Sequence, residues 1–211
     1  MHVDGAFGLW AAAVPELRSQ VAGLDTADSW ATDAHKWLNV PYDSGIAIVA
    51  DAAPHRAAMS MTASYLQRGG DEERAGMDWV PDSSRRSRIL PLYALFRALG
   101  RDGIADIIRR NCACARRIAE TLSHSPGVTI LNEVVLNQVL VQFGNDETTR
   151  QVIAAVQSDG TCWAGGALWQ GKQAMRISVS NWSTTEDDID RSAVAILRAF
   201  SQVSSSAAGP A

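Results

Sequence analysis

The sequence lacks long hydrophobic runs and has little cysteine, and both features exclude whole classes of protein. Its 211 residues contain apolar stretches far shorter than the ~20 residues of a membrane helix. No charged start followed by an apolar run marks a secretory signal. The cysteines Cys112, Cys114 and Cys162 are too few for a disulfide framework, and their number is odd. They therefore predict a reduced, cytoplasmic protein.

An excess of positive charge is also missing. The formal net charge is −4, and the local cluster of Arg85, Arg86 and Arg88 is balanced by acidic residues elsewhere. This balance argues against a nucleic-acid-binding protein. Hydrophobic residues make up 46% of the chain and charged residues 20%, which is typical of a globular protein with a buried core.

The order of the predicted elements is that of an α/β protein. Helical periodicity, turn residues and short apolar runs place the elements. Strands are predicted at 1–4, 29–34, 46–49, 128–131, 138–143, 161–163 and 174–180; helices at 15–24, 54–59, 87–99, 102–124, 147–158 and 185–200. The apolar run at 46–49 predicts a strand buried on both faces. A long, mobile loop is expected at 67–84 and a disordered tail at 201–211.

Two charged residues follow the first two predicted strands. Asp4 ends one strand, and Lys36 follows the next after a single intervening helix. This β-α-β order places parallel strands side by side, with both residues at the carboxyl edge of the sheet, where such sheets bind ligands. An amine and a carboxylate there suit pyridoxal 5'-phosphate, which needs a lysine for its aldehyde and an acid for its pyridine nitrogen.

The sequence around these residues resembles a known family. The matching segments are His2-Val3-Asp4-Gly5-Ala6, His35-Lys36-Trp37-Leu38-Asn39-Val40-Pro41, Ser84-Arg85-Arg86-Ser87-Arg88 and Phe96-Arg97-Ala98-Leu99-Gly100. They are similar to the pyridoxal-phosphate-dependent group II amino-acid decarboxylases, which have the type I fold of the aspartate aminotransferase superfamily. The resemblance covers about residues 1–200, and its most specific part is the His-Lys-Trp motif with an aspartate upstream.

The resemblance implies a role for each matched residue. Lys36 is expected to form the Schiff base, Asp4 to pair with the pyridine nitrogen, His35 to contact the phosphate and Ala6 to pack against the ring. It implies that residues 1–95 are the rear part of the large, cofactor-binding domain and that residues 96–200 are a smaller α+β domain. A homodimer acting on an amino-acid substrate is expected, with no nucleic acid, membrane or metal involved.

The sequence departs from the family pattern in two places. Members of the family are much longer upstream, where they carry the phosphate-binding loop and the residue that stacks on the ring. Their mobile loop carries a tyrosine that protonates the substrate carbon, whereas residues 74–82 contain Trp79 and no tyrosine, and Tyr65 lies earlier. Amino-acid decarboxylation therefore stands beside two alternatives: another carbon–carbon lyase, and a non-catalytic remnant.

Three further features are open to a functional interpretation. Cys112 and Cys114 are two residues apart on a predicted helix, so they point to different faces and favour packing over metal binding. Arg176 is a candidate for binding a substrate carboxylate, with a strand-edge salt bridge as the alternative. Gly165 and Gly166 predict a hairpin rather than a phosphate loop, because no helix follows at once.

Overall fold

The computed structural model describes residues 1–61, 75–82 and 84–207, and the chain divides into two units. The first is Met1–Gly100 and the second is Arg101–Ala211. The boundary that we expect from the sequence lies at residues 95–96. Each unit has its own sheet.

The first unit is built on a three-stranded sheet of mixed direction. Its strands, in spatial order, are β1 (His2–Asp4), β2 (Ser29–Asp33) and β3 (Gly45–Val49). The first two are parallel, with Val3 opposite Trp30, and β3 is antiparallel to β2. The predicted parallel crossover is therefore present.

The crossover between β1 and β2 is not the single helix predicted at 15–24. Three 3-10 segments make the connection: Gly8–Ala13, Pro15–Val21 and Leu24–Thr26. Gly23 separates the last two with a φ of 83°, a conformation that glycine adopts without strain. The proline and acid at 15–16 start a helical turn as expected, but the glycine ends it early.

The prediction of a strand buried on both faces at 46–49 is wrong. In β3 no residue is fully buried, and Ile48 is 48% exposed. The strand lies at the edge of the sheet, so its apolar side chains have no second layer over them within the described residues. A short apolar run does not by itself distinguish an edge strand from a central one.

Two short helices follow β3. In α1 (Ala52–Met59), Asp51 caps the N-terminus by accepting a hydrogen bond from the Ala53 N–H at 2.9 Å. Gly76–Asp78 forms a 3-10 turn inside the segment where a long loop is predicted. Residues 67–74 and 83 of that loop, and Tyr65, lie outside the described residues.

The two helices predicted at 87–99 and 102–124 form α2 (Ile89–Ser123), with a break at Gly100. The backbone of Gly100 has φ 61° and ψ −167°, which is essentially restricted to glycine. The break therefore depends on this residue, and it coincides with the end of the first unit.

The second unit packs helices on an antiparallel sheet. Its strands, in the spatial order β4-β5-β7-β6, are β4 (Val128–Ile130), β5 (Gln138–Phe143), β6 (Gly165–Trp169) and β7 (Lys172–Ser178). With them pack the second half of α2, α3 (Asp146–Asp159) and α4 (Glu186–Ala207). The central strand β5 supplies Val139, Val141 and Phe143 to a core that all three helices share.

The double glycine lies inside a strand rather than in a turn. The strand predicted at 161–163 is absent, and Gly165 and Gly166 begin β6 instead. The predicted hairpin is present, since β6 and β7 pair and turn through Gln170 and Gly171, both with positive φ. Two such residues are typical of the tight hairpin turn.

The last helix is longer than predicted. Its start is confirmed, because Thr185 and Asp188 form a reciprocal capping box with bonds of 3.0 and 3.2 Å. The disordered tail predicted from 201 is wrong for 201–207, which continue α4. Val203 packs against the core and holds this last part of the helix, while residues 208–211 lie outside the described part. No helix in the described residues is long and apolar enough to cross a bilayer.

Candidate active site

The parallel pairing of β1 and β2 brings the two strand ends together. Asp4 ends β1 opposite Ala31, and Asp33 ends β2 two residues later. Lys36 follows in the turn after β2, where its N–H donates to the Asp33 carbonyl oxygen at 3.4 Å. Two carboxylates and one amine therefore lie at the carboxyl ends of β1 and β2, which is the end of a parallel sheet where ligands bind.

The amine of Lys36 is held by the aspartate three residues before it. Its Nζ lies 2.8 Å from Asp33 Oδ2 and 5.8 Å from the centre of the Phe7 ring. The hydrogen bond to Asp33 is the main cause that raises the pKa of Lys36; the charges of Asp33 and Asp4 add to it, while desolvation opposes it. The ammonium form is favoured, so Lys36 must lose a proton before it can act as a nucleophile.

Asp4 is oriented by the backbone just after it. The Ala6 N–H donates to Asp4 Oδ1 at 3.0 Å. Gly5 lies between them, and its N–H donates to the Ala31 carbonyl oxygen at 2.7 Å. The backbone is closely packed here, because a Cβ on Gly5 would lie 2.9 Å from Leu9 Cβ. Asp4 is exposed and Ala6 half-buried. The Asp4 carboxylate is thus fixed in direction while still open to solvent.

His35 is held through one ring nitrogen, Nδ1. Its Nδ1 lies 3.1 Å from the backbone N and O of Ser44, and Nε2 lies 4.0 Å from Asp33 Oδ2. The ring stacks on Tyr42 with centroids 4.1 Å apart. When the Ser44 N–H donates to Nδ1, the ring proton is on Nε2, which makes that atom a hydrogen-bond donor at the sheet edge.

The turn that carries Lys36 is anchored by its next two residues. Trp37 and Leu38 are almost fully buried, at 0% and 1% exposure. The indole of Trp37 also contacts the Phe7 ring, with centroids 5.8 Å apart. Burial of two large side chains directly after Lys36 fixes the backbone from which the amine projects.

An arginine cluster lies beyond this turn. Arg88 donates to both Asp43 oxygens at 2.7 and 3.0 Å, and Arg86 donates to Asp43 Oδ1 at 2.9 Å. The Arg88 guanidinium is the main cause that holds the pKa of Asp43 well below its usual range. These side chains border a cleft of about 1050 Å³. Arg86 and Arg88 are therefore paired directly with one nearby carboxylate, that of Asp43.

Three predicted candidates, Cys112, Cys114 and Arg176, belong to the second unit. Cys112 and Cys114 are buried in α2, and burial raises the pKa of Cys112 to about 11. Both thiols are therefore protonated and packed, as their spacing indicates. Arg176 is an exposed residue of β7 in the second unit, opposite Gly165 and Leu140.

Sequence reasoning missed four residues that shape the site: Phe7, Asp33, Tyr42 and Ser44. Asp33 had a usable signal, because an acid three residues before a lysine is within ion-pairing distance in a helical turn. The contacts of Tyr42 and Ser44 with His35 depend on how the chain returns into β3. No local pattern indicates that return.

Comparison with known proteins identifies the family. A family model described as "Pyridoxal-dependent decarboxylase conserved domain" matches residues 1–143. The chain belongs to this family. The predicted membership is confirmed, and with it the dependence of the family on pyridoxal phosphate.

Curated members of the family show how much of it the chain contains. It is 26% identical over 199 residues to the phenylacetaldehyde synthase of Arabidopsis thaliana, a match that covers 89% of this chain and 41% of that protein. It is 28% identical over 193 residues to the histidine decarboxylase of Rattus norvegicus, covering 90% of this chain and 29% of that protein. The chain thus spans less than half the length of these relatives.

Solved structures confirm the predicted fold class. The crystal structure of Oryza sativa TDC with PLP and tryptamine matches with a TM-score of 0.89 at 20% identity, over 95% of this chain and 44% of that one. Catharanthus roseus tryptophan decarboxylase with L-tryptophan matches with a TM-score of 0.84 at 21% identity, over 96% and 44%. The chain therefore has a partial type I fold.

The residues at the sheet edge fit the cofactor of the family. Pyridoxal phosphate needs an amine to bond to its aldehyde and a carboxylate at its pyridine nitrogen. Lys36, in the turn after β2, and Asp4, at the end of β1, are an amine and a carboxylate at the same end of the sheet. These two residues therefore fit the amine and the carboxylate that the cofactor needs.

Proposed function

We propose that this chain is the lysine-bearing part of a pyridoxal-phosphate-dependent amino-acid decarboxylase, a carboxy-lyase that works through a Schiff base on Lys36. The observation that carries the proposal is the placement of Asp4 at the end of β1 and of Lys36 in the turn after the parallel strand β2, at the same end of the sheet. Membership of the family supplies the reaction class.

Each residue at the edge has a distinct role in this proposal. Lys36 provides the amine, Asp4 accepts a hydrogen bond from the protonated pyridine nitrogen, His35 donates from Nε2 to the phosphate, and Ala6 packs against the ring. The cofactor, when bound, supplies an aldehyde and an electron-accepting ring. The Ala6 N–H keeps the Asp4 carboxylate in one direction.

The substrate is proposed to be an amino acid. Relatives include proteins named tyrosine decarboxylase 2, from Arabidopsis thaliana, and histidine decarboxylase, from Drosophila melanogaster. Others are named for aldehyde synthesis, such as 4-hydroxyphenylacetaldehyde synthase from Rhodiola rosea. These names support an amino-acid substrate. Relatives of similar sequence identity are named for two different activities, decarboxylation and aldehyde synthesis.

We further propose that the intact enzyme is a cytoplasmic homodimer. The first turns of α2 support an interface, because Ile89, Leu90 and Tyr93 are each at least 60% exposed. Large apolar side chains grouped on one surface are typical of a protein–protein contact. Size-exclusion chromatography with light scattering tests this assignment, and a strictly monomeric protein at micromolar concentration would contradict it.

The decisive test of Lys36 is chemical trapping. The chain contains two lysines, Lys36 and Lys172. Peptide mapping can therefore find the reduced cofactor on either lysine or on the N-terminal amine. Incubation with pyridoxal phosphate followed by borohydride reduction should fix the cofactor mainly on the Lys36 peptide. The exposed Lys172 in β7 is an internal control for non-specific modification.

The matched variant is Lys36→Ala, which leaves Lys172 in place. It should abolish the visible absorbance band of the bound cofactor. Equal labelling of both lysines in the wild-type chain, or an unchanged band in Lys36→Ala, would remove Lys36 from the proposed role.

Replacement of Asp4 tests the second half of the pair. Asp4→Asn retains an oxygen for the Ala6 N–H but removes the charge. A charge-assisted hydrogen bond contributes about 1.5–3 kcal/mol, so pyridoxal phosphate should bind about ten- to a hundredfold more weakly. Absorbance titration measures this, with the exposed Asp25→Asn as the control for net charge. Equal affinity in both variants would exclude Asp4 from cofactor binding.

A further inference from the structure

Asp33 makes the closest contact to the proposed reactive amine. Its Oδ2 lies 2.8 Å from Lys36 Nζ, and the two side chains are 29% and 36% exposed. The same oxygen lies 4.0 Å from Nε2 of His35. One carboxylate therefore faces both of the basic side chains of the turn.

The position of Asp33 is set by the sheet. It is the last residue of β2 and pairs with Gly45 of β3. The next two backbone N–H groups, of Ala34 and His35, both donate to the Ser44 carbonyl oxygen, at 2.9 and 3.3 Å. Asp33 thus projects from a fixed strand end, whereas Lys36 has a long side chain with several rotatable bonds. In this pair the carboxylate holds the amine in place.

We propose that Asp33 is a positioning residue: it holds the Lys36 ammonium at the sheet edge and sets the pH above which Lys36 captures the cofactor aldehyde. The inference rests on the proposed function of Lys36. It adds a residue that neither the sequence motif nor the family match assigns to the site.

The chemistry of capture explains why this ion pair matters. The ammonium of Lys36 must first give a proton to solvent, because only the neutral amine has a free electron pair. That pair then forms the C–N bond to the aldehyde carbon, and one water molecule leaves as the C=N bond is completed. A Lys36 side chain that Asp33 keeps protonated cannot take part in this step.

The other groups facing Lys36 act in the same direction or carry no charge. Asp4 favours the ammonium through its charge, and the uncharged Phe7 ring lies 5.8 Å from Nζ. Removing the Asp33 charge should therefore release the amine only partly, because Asp4 remains.

The test measures the reactivity of each lysine in the cofactor-free chain. A trace of isotopically labelled acetic anhydride is applied across pH 6–11, and mass spectrometry gives the rate at Lys36 and at Lys172. In Asp33→Asn, acetylation of Lys36 at pH 8 should rise about two- to fivefold, the range expected for loss of an exposed ion pair. Lys172 should not change.

Two matched variants complete the design. Asp33→Glu keeps the charge and should return the Lys36 rate toward that of the wild type. Asp25→Asn removes one exposed charge elsewhere and should leave both lysines unchanged. Circular dichroism confirms that each variant is folded before it is labelled. An unchanged Lys36 rate in Asp33→Asn, or an equal rise in Asp25→Asn, would overturn the proposal.

A second measurement separates this inference from the proposed function. The initial rate of borohydride-trapped cofactor on Lys36 at pH 7 should also rise in Asp33→Asn. If no cofactor is trapped on Lys36 in any variant, the proposed function fails and Asp33 loses its role in capture. The acetylation result would then describe an ion pair alone.

Discussion

The site depends on residues that place Lys36 rather than on the lysine alone. Trp37 and Leu38 are buried directly after it, and Asp33 ends a strand directly before it. A lysine side chain loses considerable rotamer entropy when it is held in one place. The buried neighbours fix its backbone, so only the side chain remains to be ordered. This is why one ion pair is enough to direct the amine.

Gly5 is the residue at this edge whose substitution should be most disruptive to packing. A Cβ would lie 2.9 Å from Leu9 Cβ, 3.0 Å from Trp30 Cε3 and 3.2 Å from the Ala31 carbonyl oxygen. Overpacking of this kind costs about 1–3 kcal/mol, so Gly5→Ala should lower the free energy of unfolding by that amount. Denaturant unfolding followed by tryptophan fluorescence measures it.

The control is Gly8→Ala, because nothing lies within 4 Å of a Cβ at Gly8. Its unfolding free energy should stay within about 0.5 kcal/mol of the wild type, as is usual for substitutions away from packed features. Similar losses in both variants would show that crowding at Gly5 is not the cause.

At the residue level, the sequence predicts which charged residues lie near each other better than it predicts the contacts that position them. The spacing of Asp4 and Lys36 predicts a shared sheet edge, and the parallel register confirms it. The bonds of His35 with Ser44 and its stacking on Tyr42 arise from the path of the chain after the turn. That path is set by packing in three dimensions, for which the sequence carries no periodic signal.

Among the elements, periodic helices are predicted well and short connections poorly. The residues at helical spacing in the second half of α2 are all buried: Ile104, Ile107, Ile108, Cys112, Ala115, Ile118, Ala119 and Leu122. By contrast, the connection at 15–24 and the exposed β3 were mispredicted. A helix of several turns is predicted reliably because a few atypical residues do not hide its periodicity. The structure of a segment of four to ten residues is instead decided by the elements that pack against it.

The cap of α3 gives a prediction at this scale. Asn145 Oδ1 accepts a hydrogen bond from the Thr148 N–H at 2.9 Å. Asn145→Ala leaves this N–H without its side-chain partner and should destabilise the second unit by about 1 kcal/mol. Thermal unfolding followed by circular dichroism measures the effect.

The conservative variant Asn145→Asp keeps an accepting oxygen and should be close to the wild type, because aspartate caps helices about as well as asparagine. Equal destabilisation by alanine and aspartate would indicate that the amide group, rather than the cap, is important.

On the scale of the whole molecule, the two units have cores of unequal size. Among the described residues, nine buried apolar side chains belong to Met1–Gly100 and twenty-seven to Arg101–Ala211. The sheet of the first unit has three strands, and its edge strand β3 is largely exposed. A domain that buries little apolar surface has little free energy to set against the entropy of folding. We therefore expect the first unit to be the less stable one.

This asymmetry predicts how the two units behave when they are separated at Gly100. The cut falls where the backbone of α2 is already non-helical, so it removes few helical hydrogen bonds. Residues 101–211 should fold alone, with a cooperative thermal transition and dispersed amide resonances. Residues 1–100 should give a broad transition and should associate, because unpaired strand edges and exposed Ile89, Leu90 and Tyr93 are available to other chains. A 1–100 fragment that is monomeric and unfolds cooperatively, together with an unfolded 101–211 fragment, would contradict this order of stability. It would mean that the exposed surfaces of the first unit lower its free energy of unfolding less than its small core suggests.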